Sequence, residues 1–284
     1  MSRVTIATCR DLYIDEDTPL LLHALADYDT TIDLVAWDDT DYDWSATDLV
    51  VIRSTWDYTA HREEFLSWVA TLPRVLNSPT LIASNTDKHY LAELAGHGIP
   101  TIPTTFVDVG VAPLLPDGDF VVKPTVGAGS KDAARYSRDE HAAAANHVHA
   151  LHGAGRDVLV QPYVASVDTE GEFAYVYIDG SLSHVMRKGA MLNQPEGDRS
   201  QLFRTEQMSR APFDDAAGAL AHRVLEVAGA LDALYARVDL CRWRDEWVLM
   251  ELELTEPSLF LSYDDRAAAR LAAAIAARVG AERR

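Results

Sequence analysis

The stretch Tyr235–Phe260, YARVDLCRWRDEWVLMELELTEPSLF, decides how the rest of the chain is read. It reads as two β-strands joined by the tight polar turn Arg244-Asp245-Glu246, because apolar and polar residues alternate along both arms as they do in half-buried strands. On the second arm Val248, Met250, Leu252 and Leu254 take one face and leave Glu251 and Glu253 on the other; Arg237 and Asp239 share a face of the first arm in the same way. Pairing Trp243 with Trp247 sets Asp239 opposite Glu251 and Arg237 opposite Glu253. Carboxylates facing each other across a ladder repel. Two readings stay open: a solvated sheet face relieved by the arginine, or a divalent-cation site, for which hard oxygen ligands suit Mg²⁺.

Around this hairpin, 284 residues suffice for more than one compact unit. A hydrophobic share of 48% and a charged share of 24% are those of an ordinary globular chain. No apolar run approaches the length of a membrane span, and the N-terminus lacks a basic-then-apolar leader, so the cytoplasm is the expected location and no membrane partner is expected. The two cysteines, Cys9 and Cys241, lie in apparent strands, which excludes a disulfide framework. A net charge of −19 without a basic run argues against a nucleic-acid partner.

Taken in order, residues 3–9, 31–37 and 48–52 read as strands, with an apolar helical stretch from Pro19 to Tyr28 between the first two. The third strand runs into Arg53-Ser54-Thr55-Trp56-Asp57-Tyr58, at the carboxyl end where open α/β sheets bind ligands. A loop of aromatics covering a domain edge is the equal alternative. A helix over 62–72 and a short strand near Val75 follow. Asn85-Thr86-Asp87-Lys88 reads as the next helix start, with Asn85 as its N-cap and Lys88 in a first turn where the dipole favours anions. Ile99-Pro100-Thr101-Ile102-Pro103 reads as an extended linker.

Residues 120–136, FVVKPTVGAGSKDAARY, place Lys123 near the end of a buried strand that runs into a loop with Gly127, Gly129 and Ser130. Such a loop lets backbone N–H groups approach an anion, although it is not a Walker sequence, a ligand-free glycine hairpin is the alternative, and the loop taken alone is a weak signal. A helix over 139–152 carries histidines read as an exposed face, and Val158–Val164 is a strand broken by Pro162. Asp179-Gly180 marks a hairpin between 173–178 and 182–187, Asn193–Ser200 reads as a polar loop, and helices are expected over 214–231 and 264–279.

In this order the pieces resemble the ATP-grasp superfamily, which includes glutathione synthetase, D-alanine–D-alanine ligase and related carboxylate–amine ligases. The resemblance covers about Thr86 to Leu261 and rests on four matches: Asp87-Lys88, Lys123-Pro124 with its glycine loop, Gln161-Pro162-Tyr163-Val164, and Asp239 with Glu251-Leu252-Glu253. It implies an α/β (α+β) fold in three parts. These are an N-terminal small parallel-sheet α/β domain on the substrate side (1–80), a large ATP-grasp domain with an antiparallel C-terminal sheet (81–103 and 165–284), and a mobile lid subdomain (104–164). It also implies ATP and two Mg²⁺ ions as cofactors. Lys88 and Lys123 would contact the α- and β-phosphates, and the loop Gly127 to Ser130 would fold over them. Gln161, Tyr163 and Val164 would line the adenine hinge, and Asp168 or Glu170 would meet the ribose hydroxyls. Asp239, Glu251 and Glu253 would hold Mg²⁺, with Glu253 where the family usually has Asn. Arg187 would neutralise the transferred phosphoryl group, and Arg53, Ser54, Trp56, Arg237 and Ser258 would face the substrate.

The implied reaction is ATP-dependent C–N bond formation on a small amino-acid-like substrate through an acylphosphate, with ADP and phosphate released. A narrower resemblance, carried by Arg53–Tyr58, Asp168–Glu172 and the ending Glu253–Phe260, is to ATP-grasp cyclo-ligases that close O-ureido-D-serine to D-cycloserine. A phosphotransferase using the same site is the competing reading. A homodimer is the assembly entertained for the chain.

Overall fold

The computed structural model describes residues 2–10, 15–189 and 208–280. The polar loop read at 193–200 lies outside the described residues. The chain opens with a parallel sheet of order β2-β1-β3-β4, built from β1 (Ser2–Thr8), β2 (Thr30–Ala36), β3 (Leu49–Ile52) and β4 (Val75–Leu76). β3 is apolar at every position because both of its faces are covered. Val50 and Ile52 pack with Phe65 and Val69 of α2 (Arg62–Thr71), while Leu49 and Val51 join Leu21 and Leu25 of α1 (Asp17–Leu25).

A second helix stands where the sequence reading placed the start of one. Ser78 caps α3 (Pro79–Asn85), with proline at its first position, so Asn85 closes a helix and does not open one. Lys88 follows in the turn before α4 (Tyr90–Gly96), not in a helical first turn. Asn85 acts elsewhere: its amide donates to the Leu252 carbonyl and accepts from the Leu254 N–H, as a backbone neighbour would.

An antiparallel sheet of order β5-β8-β6-β7 comes next, from β5 (Thr105–Val107), β6 (Phe120–Pro124), β7 (Ala134–Tyr136) and β8 (Val158–Pro162). It is backed by α5 (His141–Gly153) through Ala144, Val148 and Leu151. The largest sheet is antiparallel, of order β11-β10-β9-β12-β13. Its strands are β9 (Glu172–Ile178), β10 (Ser181–Lys188), β11 (Met208–Arg210), β12 (Tyr235–Trp243) and β13 (Glu246–Glu253). The β9–β10 turn is Asp179-Gly180, both with positive φ, as the twist of a two-residue hairpin demands. α6 (Asp215–Val227) covers one face of this sheet through Leu220, Ala221 and Val224. α7 (Ala267–Gly280) fills the angle between this sheet and the parallel one, with Leu271 and Ile275 fully buried among Val4, Ile6 and Val176.

The decisive hairpin forms with a different turn and the expected register at its functional end. Arg244 and Asp245 alone make the turn, both at positive φ, so Trp243 pairs with Glu246. One extra residue on β13 then shifts the ladder between Asp239 and Leu240, which restores Asp239 opposite Glu251 and Arg237 opposite Glu253. The bulge also changes the faces. Val248 and Met250 pack with Ile102, Val164 and Cys241, whereas Leu249, Leu252 and Leu254 enter the core under α6. Alternation does not run unbroken along the arm, because a bulge resets it.

Asn77, buried just after β4, joins the two halves of the molecule. Its amide donates to the Tyr235 and Leu254 carbonyls at 2.9 and 2.6 Å and accepts from the Leu234 N–H at 2.8 Å. Asn77→Ala leaves these groups dry and unpaired, so unfolding in urea should show a loss of about 3 kcal/mol. A loss below about 0.5 kcal/mol, the size of an ordinary surface change, would refute this account of the junction.

Candidate active site

A cavity of about 480 Å³ opens between the two antiparallel sheets, and loops leaving the parallel sheet contribute to its wall. That volume is ordinary for a small-molecule site. Its lining combines both lysines read from the sequence, Lys88 and Lys123, with Arg237, Glu251 and Glu253.

The charges are arranged as an alternating chain. Arg237 donates to both oxygens of Asp239, at 3.0 Å each, and to Glu253 across the ladder. Lys188 donates to Asp239 at 2.7 Å and pairs with Glu172. Lys88 pairs with Glu251 at 3.0 Å and donates to the Gly127 carbonyl at 2.9 Å. Burial would raise the Asp239 carboxyl, but Arg237 and Lys188 outweigh it and hold the group well below the usual range. Burial likewise acts on Glu251, and Lys88 and Lys123 together pull it below its ordinary value. Burial pushes Glu253 and Glu172 above the ordinary carboxylate range, against the opposing pull of Arg237 and Lys188. Lys123 is lowered, by burial first, with Lys88 adding to the effect and Glu251 opposing it.

The glycine loop is tied at both ends. Arg156 donates to the Val126 carbonyl at 3.1 Å and to Asp132 at 2.5 Å, bracketing Gly127, Gly129 and Ser130. Gly129 and Ser130 take positive φ, which turns the backbone back toward the cleft. The Lys88 N–H donates to the Thr125 carbonyl, so the first lysine is anchored to the strand end that carries the second.

Of the other residues singled out, Gln161, Tyr163, Val164, Trp56 and Ser258 line the cavity. Five do not. Arg187 is exposed and donates to the Glu170 and Thr169 carbonyls; a bulge in β10 between Leu182 and His184 turns Lys188, not Arg187, inward. Glu170 therefore contributes a backbone oxygen to Arg187. Asp168 is bound by the Tyr163 hydroxyl and by Arg135, whose guanidinium stacks 3.6 Å over the Tyr163 ring. Arg53 is fully buried beneath the wall, donating to Asp17 at 3.4 Å and to the Pro257 carbonyl at 3.0 Å, and Ser54 donates to Asp15. These two hold the wall and do not form its surface.

Four residues that sequence reasoning did not assign stand in the cavity wall or beside its charges: Lys188, Glu172, Tyr58 and Glu256. Strand parity could have indicated Lys188 only with the β10 bulge known. Tyr58 and Glu256 had a weaker signal, as polar residues in the two loops already suspected.

The metal expectation needs restating. Among the described residues no group of three or more His, Cys, Asp or Glu side chains is gathered to hold a metal. Arg237 and Lys188 saturate Asp239, which is fully buried, so it does not share a coordination sphere with the glutamates here. Glu251 and Glu253 do face the cavity, and their carboxylate oxygens are the donor type a hard cation requires.

Comparison with known proteins gives consistent results. Residues 4–77 match a family described as the D-cycloserine synthetase DcsG N-terminal domain. The cycloserine biosynthesis protein DcsG of Streptomyces lavendulae is 39% identical over 289 residues, spanning 94% of this chain and 95% of the relative. A crystal structure of D-cycloserine synthetase DcsG superposes with a TM-score of 0.87 at 36% identity, covering 98% of this chain and 100% of that one. A D-alanine–D-alanine ligase from Bacillus anthracis, complexed with ATP, shares the fold at a TM-score of 0.64 and 16% identity, covering 98% of each chain.

Two measurements test the charge arrangement. Lys188→Met strands Asp239 and Glu172 and should cost about 3–5 kcal/mol of stability, whereas Arg187→Met should stay within about 0.5 kcal/mol; equal costs would contradict the placement of β10. Burial pushes Glu256 from 4.5 up to about 8. A carboxyl raised in this way binds more protons folded than unfolded between those values, so its stabilising contribution is present at low pH and fades as pH rises through the window. Glu256→Gln removes that dependence. The melting temperature of the variant relative to wild type should therefore climb from pH 5 to pH 8.5, and a constant gap would exclude the raised carboxyl.

Proposed function

Because the chain belongs to the family of the cycloserine biosynthesis protein DcsG and is an ATP-dependent ligase, we propose that it closes a small amino acid on itself, converting O-ureido-D-serine to D-cycloserine through an acylphosphate. The observation that carries this reading is the convergence of Lys88, Lys123, the 127–130 loop and Glu251 on one cavity. That is the equipment phosphoryl transfer needs, because its transition state asks for alignment and neutralised charge more than for covalent help.

In this reading the triphosphate lies between Lys88 and Lys123 under the glycine loop, and the base sits against Gln161, Tyr163 and Val164. Lys88 leaves Glu251 for a phosphate oxygen, a better-matched partner than the Gly127 carbonyl it also holds. Glu251 and Glu253 would hold Mg²⁺, with Asp239 acting through Arg237 and Lys188. Mg²⁺ would supply Lewis-acid polarisation of the phosphoryl oxygens. Lys188 takes the neutralising role first read for Arg187. We assign residues 1–80 to the substrate side, 81–103 with 165–284 to the nucleotide platform, and 104–164 to a lid that keeps water from the activated carboxylate.

The substrate carboxylate oxygen attacks the γ-phosphorus, and the bond to the ADP oxygen breaks. The oxygen-linked nitrogen of the ureido group then attacks the acyl carbon, phosphate leaves, and the five-membered ring closes. Water takes up the ureido carbonyl, which departs as carbamate, and its nitrogen electrons remain on the ring with a proton.

Incubation with ATP, Mg²⁺ and O-ureido-D-serine should release ADP, phosphate and D-cycloserine in equal amounts. A phosphorylated amino acid accumulating without free phosphate would instead favour a phosphotransferase. Lys123→Ala and Glu251→Ala should each lower kcat by roughly 100-fold or more, with raised Mg²⁺ restoring part of the activity of the second only. Full activity in both variants would remove this site assignment.

A further inference from the structure

Every buried acidic group in the charge chain has a cationic partner: Glu172 and Asp239 with Lys188, Asp239 and Glu253 with Arg237, Glu251 with Lys88. Glu256 differs. It lines the same cavity, yet among the described residues no lysine, arginine or histidine comes within ion-pair distance of it. Tyr58 lines the cavity with it and is close enough for the two side chains to interact. Half-buried and without a countercharge, Glu256 is kept protonated by burial, and a cation arriving beside it would favour the ionised form.

The backbone holds this residue with unusual care. Five consecutive carbonyls, from Thr255 to Leu259, each accept from a side chain of a different residue: Tyr235 at 2.9 Å, Trp56 at 3.1 Å, Arg53 at 3.0 Å, Arg237 at 3.0 Å and His184 at 3.0 Å. Asp17 accepts from the Leu259 and Leu261 N–H groups at 2.5 and 2.7 Å. A loop fixed at this many points presents its outward side chains at a set distance and angle, as a recognition element must.

We propose that Glu256, walled by Trp56 and Tyr58, is the anchor for the ammonium group of the amino-acid substrate. This rests on the ligase reading above and names the part of the substrate that the wall recognises. An organic cation suits the place better than a metal. The neighbouring wall is aromatic, with the Trp56 N–H turned to the Glu256 carbonyl, and among the described residues no group of three or more His, Cys, Asp or Glu side chains is gathered there. A zwitterionic amino acid also needs opposite charges a few ångströms apart. Glu256 lies close enough to Arg237 and Lys88 for their charges to act on it, so a carboxylate directed at the cations brings its own α-ammonium toward Glu256. An acid lacking the amino group would leave Glu256 unpaired and bind less well.

Calorimetry in the presence of Mg²⁺ and a non-hydrolysable ATP analogue tests this without turnover. O-ureido-D-serine should bind the full-length protein roughly 30-fold more tightly than 3-(ureidooxy)propanoate, its analogue without the amino group. D-serine should likewise bind more tightly than 3-hydroxypropanoate. Glu256→Gln should abolish both preferences while the affinity for the ATP analogue stays within about 3-fold, and Glu256→Asp should restore part of them. Equal binding of each pair by wild type, a preference that survives Glu256→Gln, or no binding of either amine would each overturn the proposal. Absence of ADP release with a retained amine preference would sink the cyclo-ligase reading alone.

Discussion

The molecule depends on one buried arrangement of charge: Glu172, Lys188, Asp239, Arg237 and Glu253 alternate in sign across β9, β10, β12 and β13. Asp239 has no exposed surface, and in that setting an ion is tolerated only when its partners saturate it. Apolar residues of the same volume would give a more stable sheet. Charge here fixes register and keeps a set of basic and acidic groups poised beside the cavity. The two bulges belong to the same constraint. The β13 bulge lies at the cleft, beside Glu251 and Glu253, whereas the β10 bulge lies near the Asp179-Gly180 turn and sets from a distance the parity that turns Lys188 inward.

Much of the fold was legible because it follows from periodicity. The apolar run at Leu49–Ile52, the Asp179-Gly180 turn and the alternation in Tyr235–Glu253 each specify a local state that tertiary packing confirms. Resemblance singles out Lys88 and Lys123; the local reading of Lys88 rests on a helical first turn, and it stands instead in the turn before α4. Arg187 was assigned to the phosphoryl group by resemblance, which does not fix the face a strand residue takes. In the structure β10 carries a bulge between Leu182 and His184 that has no mark in the sequence, and Arg187 is exposed while its neighbour Lys188 is buried. Arg53 was misplaced for a different reason: its partners, Asp17 and Pro257, are 36 and 204 residues away, so nothing nearby betrays its burial.

The Arg53–Tyr58 segment still has a part in the site, though not the one its composition suggested. Arg53 and Trp56 reach the acceptor loop through its carbonyls, and Tyr58 reaches it through Glu256. One face of the loop is thereby built by the parallel sheet and the other by Arg237 and Tyr235 of β12. The parallel sheet acts on the chemistry by shaping a loop that belongs to the last quarter of the sequence.

This shared construction has a consequence for a chain still being made. The donors to residues 255–259 come from both ends of the sequence, so the recognition wall can be completed only after translation has passed the final strand and the early sheet has docked against it. A ribosome-bound fragment that ends before this loop lacks the finished wall. Competence is thereby postponed until the polypeptide is whole.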